Sequence, residues 1–248
     1  MVVGVFCKVG NKKVSFDDCM GCSKCLPAPL IKSLRIFENE AKRNIYYLAE
    51  IIGCLRKAYY ERKSPRDKHL SLEDLYRKKR GKLFSKIADS TGWQELPGSL
   101  SYAIDSESVK LTARLDCYDS DKRVIVELKS LEGVKGRNLP RQKDLFQVQC
   151  YGTIFKDVLY EIKGLKIVYL DMKDFRQCNV EYVDRTEWIR ERVFSLHRAV
   201  RDSVQPPKEE SCECRFCDYK QDCIGIGSIV PTVHSSTGRA TASGGGSG

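Results

Sequence analysis

No run of eighteen apolar residues occurs in this 248-residue chain, which argues against a transmembrane helix. The start, Met1 to Phe6, is too short for a secretory signal and lacks its basic n-region. No flavin or nicotinamide fingerprint is present, so a redox or electron-transfer role has the least support. These absences together predict a protein of the reducing cytoplasm with no membrane partner, in which cysteines stay available to metals.

Cysteine itself is plentiful, with twelve in the chain. In a basic chain expected in a reducing compartment, such a count means metal or iron–sulfur ligation more often than disulfides. Cys214, Cys217 and Cys223 form a C-x2-C-x5-C run near the C-terminus, and Cys54, far upstream, completes a set of four. Four thiolates suit Zn²⁺ or a [4Fe–4S] cluster alike. Cys212 lies beside that run and competes with it as a ligand. Cys7, Cys19, Cys22 and Cys25 make a second candidate metal quartet. Its C-x2-C-x2-C run has ferredoxin-type spacing but lacks the usual fourth ligand and following proline, so Zn²⁺ and a second iron–sulfur cluster both remain open. Cys117, Cys150 and Cys178 read as core or incidental cysteines, since an unligated Cys packs as a small hydrophobe.

The chain carries 43 Lys+Arg against 33 Asp+Glu, a net charge of +10. That balance favours a polyanionic partner such as nucleic acid, and equally fits a plain charged surface.

Along the chain, Gly10-Asn11 between short apolar runs signals a hairpin. Residues 1–28 then read as a cysteine-rich knuckle, too short and polar to bury a core unless a metal holds it. From Pro29 to Lys63 the period is helical, with Leu48, Ile51, Ile52 and Leu55 on one stripe and Cys54 inside it. Ser64-Pro65 breaks the pattern. A second helix is expected from Ser71, a good N-cap, to Ser90. Its basic run, Arg77 to Arg80 with Lys82, is either a solvated face or a phosphate contact. Strands near 99–104, 109–118 and 122–130 follow as a meander. A helix runs from Pro140 to Val158, strands cover Leu165–Met172 and Val180–Val183, and a last helix spans Thr186–Val204. This order predicts an α/β sandwich with a mixed sheet flanked by helices. Residues 29–224 form the main domain and 225–248 a flexible tail.

Within the meander, Asp116 and Glu127 fall on one face of a hairpin turning at Ser120-Asp121. That turn sets Asp116 opposite Ile125 and the two carboxylates on a diagonal, roughly 7 Å apart. A two-residue slip would keep them on that face. Converging carboxylates with Lys129 nearby suit a Mg²⁺ or Mn²⁺ site acting on a phosphodiester. A half-exposed strand with ordinary salt bridges carries the same residues and is the commoner case.

Taken in order, Asp116, Glu127-x-Lys129 and Gln147-x-x-x-Tyr151 resemble the D…E-x-K…Q-x-x-x-Y pattern of RecB-type nucleases in the PD-(D/E)xK superfamily. Cys54 ahead of that core and Cys214, Cys217 and Cys223 behind it are similar to the subgroup clasped by a [4Fe–4S] cluster. That subgroup includes the CRISPR-associated RecB-like exonucleases and the AddB-type nuclease domains. The stretch Ile51 to Arg62 looks most like the CRISPR-associated family. The resemblance covers residues 45–225. It implies a RecB-type core in which Asp116 and Glu127 ligate Mn²⁺ or Mg²⁺ and Lys129 is the catalytic lysine. Gln147 and Tyr151 then support the site from a helix. It further implies trimming of DNA ends, single-stranded ones foremost, in CRISPR spacer acquisition, with the integrase complex as partner.

Two positions depart from the family. The His expected four residues after the glycine of Arg80-Gly81 is Ser85, and the glycine three residues before Asp116 is Ala113. A hydroxyl is a poor substitute for imidazole at a metal. A DNA-binding or assembly subunit without catalysis is therefore a second reading, and a RecB-like repair nuclease outside CRISPR a third. Lys135, Arg137, Arg141 and Lys143 around the glycine-rich loop 133–140 offer phosphate contacts in each case.

Anaerobically purified protein is expected to show the visible absorption of an iron–sulfur cluster, with about four irons for the Cys54 set. About eight irons would assign a second cluster to the N-terminal quartet, and a zinc beside the iron would assign Zn²⁺. A colourless, iron-free protein would remove the cluster.

Overall fold

A computed structural model describes residues 2–22, 24–35, 41–89, 94–159, 161–171, 173–210 and 212–225, with the side chains of 81–94, 212 and 213 not described. The chain divides into two units, Met1–Glu209 and Glu210–Gly248.

The first unit begins with strands β1 (Val2–Cys7) and β2 (Lys12–Ser15), joined by the hairpin at Gly10-Asn11, where Asn11 takes a left-handed φ of 46°. Helices α1 (Phe16–Cys22) and α2 (Ala28–Leu34) follow. This segment does bury apolar surface: Val2, Val5 and Phe16 pack with Ile31, Leu34 and Leu75. Its core comes from residues further along the chain, so the segment read by itself looks too small to have one. The small sheet is completed by β4 (Lys68–Leu70), which pairs parallel to β1.

The expected single helix from 29 to 63 is instead several elements. After α2 come strand β3 (Ile45–Tyr47), helix α3 (Leu48–Ile52) and helix α4 (Leu55–Lys63). The 3.6-residue period is real on both sides of Gly53, but Gly53 is extended, with φ −87° and ψ −168°. Cys54 therefore sits in a break, as the N-cap of α4. Arg192 donates to the carbonyls of Ile51 and Gly53, supplying partners that the interrupted helix lacks. Ser71 caps α5 (Leu72–Asp89): its hydroxyl accepts from Asp74 N–H at 3.1 Å and donates to the Asp74 carboxylate at 2.7 Å.

The main sheet has six strands. The long β6 (Glu107–Asp119) pairs along one edge with β5 (Gln94–Ile104), antiparallel. Its other edge is shared. Parallel β3 pairs with residues 110–112, and antiparallel β7 (Val124–Ser130) pairs with 117–119. Helix α6 (Gln142–Phe155) crosses over to β8 (Gly164–Leu170), parallel to β7, and β9 (Phe175–Val180) closes the edge. This last strand lies before the expected Val180–Val183. Helix α7 (Thr186–Asp202) follows and packs on α4, α3 and α6. Strand alternation places the helices on opposite faces. Lys129 bonds Gln147 of α6, whereas its neighbour Ser130 bonds Arg80 of α5.

The β6–β7 register differs from the expected one by two residues: Tyr118, not Asp116, lies opposite Ile125. The turn is longer than Ser120-Asp121. Asp119 accepts the Lys122 N–H at 3.0 Å, and Arg123 takes a left-handed φ of 57°. A two-residue shift preserves face parity, so Asp116 and Glu127 remain on one side.

In the second unit a 3-10 helix, Cys212–Phe216, precedes α8 (Lys220–Ile224). Cys217 N–H donates to the Cys214 carbonyl at 3.3 Å, and Cys223 N–H to the Tyr219 carbonyl at 3.0 Å. Among the described residues, no helix is long and apolar enough to cross a membrane.

Ala113 pairs with Gly98 across the sheet. A Cβ at Gly98 would fall 2.5 Å from the fully buried ring of Phe155, the last residue of α6. Gly98→Ala should therefore destabilise the protein by about 1–3 kcal/mol in urea denaturation, and Phe155→Leu in the same chain should recover part of the loss.

Candidate active site

Glu127 and Lys129 project from β7 on the face covered by α6. The alternation of β7 places Ile125 on that face too, and the parallel register sets Ile167 and Tyr169 of β8 beside them. All three are fully buried. A carboxylate is thus held in an apolar layer, and Glu127 is only 2% exposed. Asp116 reaches the same place from β6, where its Oδ2 accepts the Leu128 N–H at 3.1 Å.

A chain of hydrogen bonds ties these strands to α6. Lys129 Nζ donates to Glu127 Oε1 at 2.5 Å and to Gln147 Oε1 at 2.7 Å. Gln147 Nε2 donates to the Tyr151 hydroxyl at 2.9 Å, and that hydroxyl donates to the Arg114 carbonyl at 2.9 Å. Gln147 and Tyr151 lie one helical turn apart, so one face of α6 spans β7 and β6.

A model of the PD-(D/E)XK nuclease superfamily matches residues 35–224, more than half of the chain. The chain belongs to that superfamily. Among solved structures, SSO0001 aligns with a TM-score of 0.53 and 18% identity, covering 77% of this chain and 90% of that one. An alkaline exonuclease from Laribacter hongkongensis aligns with a TM-score of 0.41 and 11% identity, covering 65% and 90%. The first of these likenesses concerns the fold alone. No curated protein matches the sequence.

The electrostatics of this candidate site suit a divalent cation. Burial, and then the nearby charge of Asp116, push Glu127 up from 4.5 to about 8, against the pull of Lys129. Glu127 Oε2 is buried without a hydrogen-bond partner. A bound cation would satisfy that lone pair and remove the cost of the buried charge. Asp116 and Glu127 are the residues that would hold it, and Mg²⁺ is commonly held by one or two carboxylates plus waters and substrate phosphate. Among the described residues no group of three or more His, Cys, Asp or Glu gathers for a metal. Ser85 lies on α5, and its side chain is outside the described residues.

One acidic residue near the site escaped the sequence reading. Asp144, in the first turn of α6, is buried with its Oδ1 3.9 Å from Lys129 Nζ. Only its place three residues before Gln147 hints at it.

The basic residues divide. Arg77 is held by Asp74 and Glu132, and Arg80 donates to Ser130 at 2.8 Å. Arg137 donates to the carbonyls of Glu132 and Gly133, bracing its own loop, and Arg141 pairs with Asp144 at 2.7 Å. The loop needs its glycines, because Gly133 and Gly136 have φ of 66° and 81°. Much of this basic surface is thus already tied to the protein, while Lys135 stays exposed on the loop.

The N-terminal cysteines lie at the end of β1 (Cys7), on α1 (Cys19, Cys22) and just beyond it (Cys25). Burial raises the Cys19 thiol, and the charges of Cys25, Cys7 and Cys22 raise it further, so the four are neighbours. Gly10 N–H donates to Cys7 Sγ at 3.3 Å. They do not close into a ligand shell. Cys54 is half-buried, and Cys117 and Cys150 are core residues, the latter thiol pushed up to about 12 by burial.

The raised Glu127 value has a thermodynamic consequence. The folded state keeps this proton up to about pH 8, whereas the unfolded chain releases it near 4.5. Its contribution to stability is full below 4.5 and is lost as pH rises to about 8. In metal-free protein Glu127→Gln should raise the melting temperature at pH 8 by about 4 °C or more, at about 2–4 °C per kcal/mol. At pH 4 the gain should vanish. An equal gain at both pH values would contradict the buried, high-pKa carboxylate.

Proposed function

We propose that this chain is a Mg²⁺- or Mn²⁺-dependent DNA nuclease that processes DNA ends. The observation that carries the reading is the convergence of Asp116, Glu127 and Lys129 around a buried carboxylate oxygen with no partner. Asp116 and Glu127 would hold a divalent cation there, which when bound would supply charge neutralisation for a phosphodiester under attack and a more acidic water. Lys129 presents an ammonium at 2.5 Å from Glu127, where it stabilises negative charge building on the phosphate. Gln147 fixes the lysine, and Tyr151 fixes Gln147 against the Arg114 carbonyl. These hydrogen bonds hold the polar groups in place before substrate arrives, which favours transition-state charge over reorganisation.

Finer assignments rest on sequence resemblance. They are a [4Fe–4S] cluster on Cys54, Cys214, Cys217 and Cys223, metal at the N-terminal quartet, and work in CRISPR spacer acquisition beside the integrase complex. A second reading, a DNA-binding subunit without catalysis, draws support from Ser85 in place of histidine and from the lack of a third metal ligand among the described residues.

End-labelled single-stranded DNA with Mn²⁺ separates the two. The nuclease reading expects degradation that falls by about 100-fold or more in Asp116→Ala and in Lys129→Ala, with DNA binding retained. Salt-sensitive binding with no cleavage in the parent would favour the second reading.

A further inference from the structure

Asp144 stands outside the hydrogen-bonded chain from Glu127 to Arg114, yet it is 3% exposed. A carboxylate so buried is costly unless it is paired and hydrogen-bonded. Its two oxygens are used unequally. Oδ2 accepts from the Tyr169 hydroxyl at 2.8 Å and from Arg141 Nε at 2.7 Å. The Arg141 backbone N–H donates in turn to the Tyr169 hydroxyl at 3.1 Å. These contacts fix the rotation of the carboxylate and aim Oδ1 at Lys129 Nζ, 3.9 Å away. The first turn of α6 also favours a negative charge at this position. A gap of 3.9 Å is too long for a hydrogen bond, and a small rotation of the flexible lysine stem closes it.

We propose that Asp144 is a positioning residue that takes over Lys129 when Glu127 turns to a divalent cation. The inference rests on the nuclease reading of this site. Without a cation, Lys129 is shared between the Glu127 carboxylate and the Gln147 amide oxygen. Once a cation draws the Glu127 carboxyl group away, the ammonium would keep only the Gln147 amide oxygen. Asp144 Oδ1 then supplies the missing partner and keeps the ammonium directed at the substrate phosphate. Tyr169 and Arg141 act behind Asp144 by holding it in place. Arg141 follows directly on the 133–140 loop, so the loop's position bears on the lysine through one carboxylate.

Acetylation of Lys129 by an amine-selective reagent, followed by mass spectrometry on the full chain, tests this. The side chain is 19% exposed, enough for a small reagent. Labelling is measured with and without Mn²⁺, and calorimetry reports Mn²⁺ binding. In the parent, Mn²⁺ should leave the labelling rate unchanged or lower it. In Asp144→Asn, Mn²⁺ should raise the rate by about threefold or more, because a charged partner is lost. Tyr169→Phe, which frees the carboxylate to rotate, should fall between them. If the Asn variant does not melt cooperatively, the Phe variant decides by the same comparison. Mn²⁺ binding with the same labelling response in parent and variants overturns the role of Asp144 alone. No Mn²⁺ binding by the parent overturns the nuclease reading and this inference together. In cleavage, Asp144→Asn should lower kcat by about tenfold with KM for DNA unchanged, the mark of a group that acts in the transition state.

Discussion

The buried carboxylate of Glu127 is the constraint around which this molecule is arranged. It lies in the middle of a central strand, where a sequence would ordinarily carry valine or isoleucine. Its immediate surroundings are apolar, from Ile125 and Ile167. The protein tolerates it by supplying a lysine two residues on and an amide from the crossing helix. That arrangement satisfies one oxygen and leaves the other bare. A buried carboxyl of this kind is costly to stability, and it is the feature on which the proposed metal-dependent chemistry rests.

The same constraint explains why α6 matters more than its length implies. Its C-terminal half is buried nearly all round, and the helix sits between the sheet and α7. Its N-terminal half carries Asp144 and Gln147 to the lysine. Packing at one end therefore sets polar geometry at the other. Phe155 locks against β5 at Gly98, where no side chain fits, and that contact fixes the axial position of the whole helix.

The shared face of Asp116 and Glu127 was more legible in the sequence than the boundaries of the elements around it. Alternation in Val109–Tyr118 and Val124–Ser130 places Asp116 and Glu127 on one face, and a two-residue error in register leaves that face intact. The turn itself was misread because Asp119 caps it through its side chain, a local bond that pattern alone does not show. The helical period around Cys54 hid the break at Gly53, because both flanking turns keep the same stripe and the stabilising partner, Arg192, is remote. Tertiary context also hid the N-terminal core, whose partners Ile31, Leu34 and Leu75 lie outside the segment. Asp144 was missed for a related reason: its meaning comes from Tyr169 and Arg141, and neither spacing nor residue type joins those three.

The guanidinium that completes the α3–α4 break has a consequence for how the chain is born. Arg192 reaches Gly53 across a separation of 139 residues, and β3 likewise waits for β6. Contacts so distant in sequence close late. During synthesis the carbonyls of Ile51 and Gly53 must therefore wait for their Arg192 partner until most of the first unit has left the ribosome.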